Sequence, residues 1–224
     1  MRQLPRPGLV LVTDRSLCPD GSLVARVEAA VSGGVDMVQL REKDLSSGEL
    51  YRLALELKKA IGGRATLVVN DRVDVALAAN ADGVQLPESG LPVGAARRLL
   101  RHGMLVGRSV HSAEGAARAD ADGADFLFLG TIFPSRSHPD AEGAGVRIIR
   151  EARKGVRAPV LAIGGVDKTN AALCLDAGAD GIAVISAILG APDTKQAARD
   201  MKETMRQAWT QRARSTAAAL RGSS

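Results

Sequence analysis

The amino-acid sequence predicts a single-domain α/β protein, a closed (β/α)8 barrel of the TIM type. Three observations carry that expectation. Eight short apolar runs alternate with segments of helical periodicity, an order that calls for parallel strands joined by crossover helices. A small residue, followed at once or one residue later by Asp, leads into every second strand: Gly34-Val35-Asp36-Met37, Ala81-Asp82-Gly83-Val84, Ala124-Asp125-Phe126-Leu127 and Ala179-Asp180-Gly181-Ile182. A module that repeats every two βα units has no natural edge strand. Finally, 46% of the residues are hydrophobic but only 2% are aromatic, so the core must be built from Ala, Val, Leu and Ile, as the side-chain layers of a barrel are. A flat doubly wound sheet would explain the alternation, but the regular repeat favours closure.

The elements follow in order. Leu9–Val12 is the first strand, ending at Thr13-Asp14. Ser22 to Ser32 has helical periodicity, with Ser22 placed to cap it. Val35–Leu40 is the second strand, and residues 49–61 form a helix that stops at Gly62-Gly63. Thr66–Val69 is the third strand and residues 73–79 the next helix. Ala81–Leu86 is the fourth strand, and Pro92 opens a helix running to about His102. The fifth strand is short, Leu105–Val106, with Arg108-Ser109-Val110-His111-Ser112 after it and a helix over residues 113–121. Phe126–Leu129 is the sixth strand. The longest loop follows, Gly130 to about Gly145, and then a helix over residues 146–153. The stretches Val160 to Val166, with its paired glycines, and Ala179 to Ser186 hold the last two strands, separated by a helix over residues 169–177. The barrel core spans about residues 9–205. A basic helix runs from Ala197 to Arg221, and the tail from Ala217 is expected to fray. The repeated Asp residues sit where strands begin, at the face away from a barrel's active site, so a structural role in turn hydrogen bonds is expected.

Composition narrows the function. No apolar run reaches the ~18 residues of a membrane span, and Met1–Gly8 lacks the apolar stretch of a signal peptide. Cys18 and Cys174 are too few for a disulfide framework and lack metal-ligand spacing, so both are expected as free thiols in the cytoplasm. The net charge is +5, but the basic residues are scattered and stacking aromatics are scarce. Small anionic substrates account for that charge better than nucleic acid does.

Polar residues just after barrel strands line the active-site mouth. Here they include Gln39, Arg41, Lys43, Asn70, Asp71, Ser109, His111, Ser135, Ser137, His138, Gly165 and Ser186. Arg41 and Lys43 alternate, so they share one face of an extended segment. Gly164-Gly165 lets backbone N–H groups approach an anion with no Cβ in the way. Together these imply a substrate with more than one phosphate, and a lone Asp beside phosphates suits Mg²⁺ held partly by substrate. Plainer readings stand beside these: a solvated charge run over residues 41–44, helix caps at Asn70 or Asp71, and a tight turn at Gly164-Gly165.

Taken together, Val38-Gln39-Leu40-Arg41-Glu42-Lys43-Asp44, Val69-Asn70-Asp71-Arg72-Val73-Asp74 and Ala81-Asp82-Gly83-Val84 resemble the thiamin phosphate synthase family. So do Ser109-Val110-His111-Ser112, residues 130–137, Ala162-Ile163-Gly164-Gly165-Val166 and residues 179–188, in order from about residue 9 to 205. The family includes TenI-type thiazole tautomerases on the same barrel. The resemblance implies joining of a pyrimidinylmethyl diphosphate to a thiazole phosphate, with pyrophosphate released by a dissociative path. It implies that Gln39, Arg41, Lys43 and Asn70 hold the pyrimidine diphosphate, Asp71 binds Mg²⁺, and Ser109 touches pyrophosphate. Ser135 and Ser137 stand where the family has threonines on the thiazole phosphate, and Gly164, Gly165, Ile185 and Ser186 cradle that phosphate. Arg41, Lys43, Ser109 and His111 are the expected catalytic residues.

Two positions depart from the synthase pattern. After strand four the family has Gln-Glu-Asp, whose Asp is a second magnesium ligand; here the stretch is Glu88-Ser89-Gly90. Gly90 cannot ligate, and Glu88 is the alternative carboxylate. A family Lys in the loop after strand six is here His138. Val84-Gln85-Leu86 and the stretch from Gly107 to Ser112 are closer to the tautomerase branch, in which a His matching His111 moves the proton. The presence of Gln39, Arg41, Lys43, Asn70 and Asp71 favours the synthase. A tautomerase using His111 and a non-catalytic thiazole phosphate binder are the alternatives. The expected partners are phosphorylated small molecules, with a homo-oligomer allowed and neither nucleic acid nor membrane. The Gly130–Gly145 loop is the candidate lid.

Overall fold

The computed structural model describes residues 4–18, 20–135 and 142–221, with side chains to residue 215. Eight parallel strands close into a barrel in sequence order. They are β1 (Gly8–Val12), β2 (Met37–Leu40), β3 (Thr66–Asn70), β4 (Gly83–Leu86), β5 (Leu105–Val110), β6 (Phe126–Leu129), β7 (Val160–Ile163) and β8 (Gly181–Val184). The helices are α1 (Leu23–Gly33), α2 (Ser47–Ile61), α3 (Val73–Ala78), α4 (Val93–Leu99), α5 (Ala113–Ala121), α6 (Arg147–Ala152), α7 (Ala171–Asp176), α8 (Ser186–Leu189) and α9 (Thr194–Arg221). No described helix is long and apolar enough to cross a membrane.

The strands are apolar on both faces because each face meets a different core. Register aligns Val10 with Met37, Gln39 with Val68, and Asn70 with Gln85. Gln85 aligns with Gly107, and Ser109 with Phe128. By alternation these side chains point inward. Val10, Val12, Met37, Val68, Phe126, Phe128, Leu161 and Ala183 form the interior cluster. Phe126 and Phe128 stack obliquely inside it, with ring centroids 5.6 Å apart. Two of the chain's few aromatics thus fill volume that aliphatic layers usually fill. The alternate residues, among them Leu11, Leu40, Val69, Leu86, Leu129 and Ala162, pack outward against the helices in the larger core.

The repeated Asp residues have a structural role, but they do not close turns as expected. Each grips the odd-numbered strand before it. The carboxylate of Asp36 accepts from the N–H of Leu9 (2.7 Å), Asp82 from Leu67 (2.7 Å), Asp125 from Val106 (2.7 Å) and Asp180 from Val160 (2.9 Å). In each case the Asp N–H donates back to the carbonyl of the same residue. These two-point clamps join β1 to β2, β3 to β4, β5 to β6 and β7 to β8. Three clamps recruit cations. Lys202 of α9 donates to Asp36 and to the carbonyl of Pro7 (2.8 Å for the latter), Arg97 lies 2.7 Å from Asp125, and Arg6 and Arg153 flank Asp180. The Lys202 contact ties α9, which packs on α1 and α7, to the barrel floor.

Several boundaries differ from the sequence reading. Strand β5 runs on to Val110, because Gly107 to Val110 pair with β6 residues Phe126 to Leu129. Glycine, Arg and Ser have weak strand propensity, and tertiary pairing overrides it. Helix α2 begins earlier, at a capping box in which Ser46 Oγ accepts from the Glu49 N–H while Glu49 accepts from the Ser46 N–H. Ser22 precedes α1 but makes no cap; its hydroxyl bonds Asp20 and accepts from Arg26. Helix α4 ends at Leu99, short of His102, and α9 begins at Thr194, ahead of Ala197. The short helix α8 was not expected.

Asp180 is 3% exposed and holds both a backbone N–H and two guanidinium groups. Asp180→Ala strips the Val160 N–H of its acceptor and both guanidinium groups of their carboxylate, and is expected to cost about 2–3 kcal/mol. Urea unfolding monitored by circular dichroism checks this. A loss below about 0.5 kcal/mol would show that the clamp is not holding β7 to β8.

Candidate active site

The C-terminal ends of the strands open into one cleft of about 1300 Å³. Its floor is the top of the interior core, with Val12, Phe128, Ile163 and Ala183 exposed to it. Its wall collects Gln39, Arg41, Lys43, Asn70, Glu88, Ser109, His111, Ser135, Gly164, Gly165, Ile185 and Ser186. Residues scattered over some 150 positions of sequence therefore share one cavity, as the parallel barrel requires. Ser137 and His138 lie outside the described residues.

The β2 end separates its charges by side. Arg41 and Lys43 face the cleft, and among the described residues neither forms an ion pair. Glu42 turns the other way and is buried, accepting from the N–H of Arg15 at 3.2 Å through both oxygens. Burial pushes the Glu42 carboxyl up, against the pull of its bonds to Thr13 and the Arg15 N–H. Arg15 also pairs with Asp44. So the stretch 41–44 is not a uniform solvated run. Its acids anchor the loop after β1, and its bases are left for the cleft.

Side-chain amides line the next strands. Gln39 Nε2 donates to Asn70 Oδ1 (2.9 Å), and Gln85 Nε2 donates to Ser109 Oγ (3.0 Å). The Oε1 atoms of both glutamines and the Ser135 hydroxyl are buried without a protein partner. Neither Asn70 nor Asp71 caps α3, whose N-terminal position is Arg72 with no side-chain cap. Asp71 is not on the cleft wall. It is exposed at the rim in the left-handed region (φ 62°), with its N–H held by the Gln85 carbonyl at 2.8 Å. A Cβ at Gly90 would lie 3.0 Å from Asp71 Oδ1, so the side chain at position 90 and Asp71 face one space.

Glu88 does not turn towards that space. Its Oε2 lies 2.6 Å from His111 Nδ1, joining the β4 and β5 loops at the rim. Arg108 braces the same loop by donating to the carbonyls of Glu88 (2.6 Å) and Leu91 (2.8 Å). Among the described residues no three His, Cys, Asp or Glu side chains are grouped to hold a metal.

On the opposite wall, Gly164 (φ 95°) and Gly165 (φ 60°) are both left-handed. A Cβ at Gly164 would lie 2.6 Å from Thr131 Cγ2, and one at Gly165 would lie 2.7 Å from the Phe133 carbonyl oxygen. The paired glycines therefore answer a steric demand as well as lining the cleft: the loop after β6 lies directly on them. Ser186 opens α8 beside them. The sequence reading missed Asp14, Ser16 and Thr131, which also line the cleft. Asp14 follows β1, so the rule that selected Asn70 would have found it. Asp14 accepts from the Ser16 N–H (3.1 Å) and hydroxyl (2.6 Å), which fixes this turn.

Comparisons with known proteins agree on one family. Residues 9–188 match the family model described as thiamine monophosphate synthase. The chain is 41% identical over 206 residues to the thiamine-phosphate synthase of Caldanaerobacter subterraneus subsp. tengcongensis, covering 91% of this chain and 96% of that one. It is 45% identical over 193 residues to a putative thiamine-phosphate synthase of Geobacter sulfurreducens, covering 85% and 91%. Its structure superposes on the thiamine phosphate pyrophosphorylase from Pyrococcus furiosus with a TM-score of 0.82 at 38% identity, covering 90% and 96%.

Gly165→Ala forces a Cβ into the Phe133–Pro134 backbone at a positive φ. It is expected to cost about 1–3 kcal/mol and to weaken binding of a phosphate monoester at this wall. Thermal unfolding and calorimetric titration with thiazole phosphate check both. Unchanged affinity would show that Gly165 does not contact the phosphate.

Proposed function

The chain belongs to the thiamine monophosphate synthase family, and we propose that its barrel mouth condenses 4-amino-2-methyl-5-pyrimidinylmethyl diphosphate with thiazole phosphate. The products are thiamin phosphate and pyrophosphate. The observation that carries this reading is the placing of a cationic, amide-rich wall and a glycine-serine wall on one cleft. Two cations without ion-pair partners among the described residues, Arg41 and Lys43, stand with Asn70 and Ser109 along β2 to β5. Gly164, Gly165, Ile185 and Ser186 face them from β7 and β8. One wall suits a diphosphate and the other a monophosphate.

In the reaction so read, the bond between the methylene carbon and the diphosphate oxygen breaks first, and its electron pair leaves with pyrophosphate. The pyrimidine amino group feeds electron density into the ring and stabilises the resulting cation. The thiazole nitrogen lone pair then forms the new carbon–nitrogen bond. Arg41 and Lys43 hold the departing charge in place, which lowers the barrier without any covalent step by the protein. The apolar floor of Val12, Phe128 and Ile163 limits the water that could capture the cation. Ser135 lines the cleft and its hydroxyl has no protein partner, which suits it to the thiazole phosphate. The buried Gln39 Oε1 is an acceptor suited to the pyrimidine amino group.

A magnesium ion would find one protein carboxylate here, at the rim of the cleft. Asp71 would hold it, the second family ligand being Gly90 and Glu88 being engaged with His111. With one protein carboxylate, such an ion would be held largely by the substrate, as magnesium commonly is. When bound, it neutralises part of the pyrophosphate charge. The tautomerase alternative draws no separate support, since the relatives carry synthase or pyrophosphorylase names. The phosphorylated substrates and the two buried free thiols suit a cytoplasmic location.

The purified protein is expected to form thiamin phosphate from both substrates with Mg²⁺. Arg41→Ala should lower kcat/KM by about 10²–10³, and Asp71→Ala should raise the magnesium concentration needed for half-maximal rate. Chromatographic detection of thiamin phosphate checks this. Absence of condensation, with interconversion of thiazole carboxylate phosphate isomers lost in His111→Ala, would replace the reading with a tautomerase.

A further inference from the structure

The cleft wall contains two hydrogen-bond relays of the same design. A Gln on an even-numbered strand donates its amide N–H to a side-chain oxygen on the next strand: Gln39 to Asn70, and Gln85 to Ser109. Both receivers line the cleft, but only Gln39 of the two donors does. Gln85 is 0% exposed and sits beneath the wall, inside the barrel. Its Oε1 has no protein partner, so its one side-chain hydrogen bond is the donation to Ser109. The neighbouring strand makes room for it: a Cβ at Gly107 would overlap both Gln85 Oε1 and the Phe126 ring.

The direction of donation has a chemical consequence. A serine hydroxyl has one proton and two acceptor lone pairs. With an acceptor site occupied by Gln85 Nε2, and no amide oxygen turned towards it, Ser109 keeps its proton for the cleft. Reversed, Ser109 would spend its proton on Gln85 and offer an anion only lone pairs. We propose that Gln85 is a positioning residue that sets Ser109 as a hydrogen-bond donor to the diphosphate. The inference rests on the diphosphate reading of this wall. Gln85 touches no substrate and acts through Ser109 alone. The same polarity at Asn70, whose Oδ1 is taken by Gln39, leaves its amide N–H groups for the cleft, so both relays present protons where Arg41 and Lys43 present charge.

Calorimetric titration of the full chain with inorganic pyrophosphate tests this without relying on turnover. Gln85→Glu replaces the donor with an acceptor, and Gln85→Met removes it at similar volume. Both are expected to weaken pyrophosphate binding about tenfold, with thiazole phosphate affinity, read on the opposite wall, unchanged. In a Ser109→Ala background Gln85→Met should add no further loss, since its action runs through that hydroxyl. Should the buried glutamate prevent folding, the methionine variant alone carries the test. Unchanged pyrophosphate affinity would overturn the proposal. So would an equal loss in the Ser109→Ala background, or a parallel loss for both ligands. Failure of the wild-type chain to bind pyrophosphate at all would instead overturn the diphosphate reading and this inference with it, whereas wild-type binding with unaffected Gln85 variants would overturn only the inference.

Discussion

The barrel depends on a paired hydrogen bond repeated four times. At the entry to each even strand an Asp gives its N–H to the carbonyl of the strand before, and takes that same residue's N–H on its carboxylate. Each clamp satisfies backbone groups at the start of a strand, where the ladder alone would leave them open. Each also fixes register at one end, and in a closed barrel an error of register in one pair must propagate round the whole ring. The clamps sit at the floor, so the opposite end is free to vary in sequence. That division of labour separates residues that hold the strands from residues that meet the ligand.

The site inherits its geometry from this arrangement. Inward positions low in the barrel carry Met37, Val68, Phe126 and Leu161; above Met37 and Val68 the same strands turn Gln39 and Asn70 inward, and β4 and β5 turn Gln85 and Ser109 inward beside them. Polar groups therefore rise directly from a dry floor, where hydrogen bonds between them are strong and unpaired atoms are costly. Gln39 and Gln85 each leave one carbonyl oxygen unpaired. Across the mouth, the glycine pair at 164 and 165 is shaped by close contact with the loop after β6. Packing there leaves no room for a Cβ.

Much of this was legible in the sequence, for definite reasons. Strands buried on both faces read as apolar runs, and residues directly after such runs must reach the mouth. Gln39, Arg41, Lys43 and Asn70 were found in that way, and all four line the cleft. The rule failed where a run is not apolar. Gly107 to Val110 read as a loop, and only pairing with β6 shows them to be strand. It also failed for Asp71, which follows a strand yet turns out to the rim at a positive φ. Glu88 was legible as a carboxylate but not as a partner of His111, because that contact joins separate loops. Ser137 and His138 fall outside the described residues.

Sequence by itself determined the order of eight strands and the inventory of cations, amides and glycines that follow them. These follow from local periodicity and residue chemistry, which need no knowledge of what lies across the barrel. Tertiary structure decided direction: that Glu42 faces away from the cleft while its neighbours face in, that the aspartates clamp neighbouring strands instead of closing turns, and that Gln85 donates to Ser109. The physical reason is that a hydrogen bond across a barrel joins groups tens to hundreds of residues apart. Its polarity and its partner are set by strand register, and register exists only once the ring has closed.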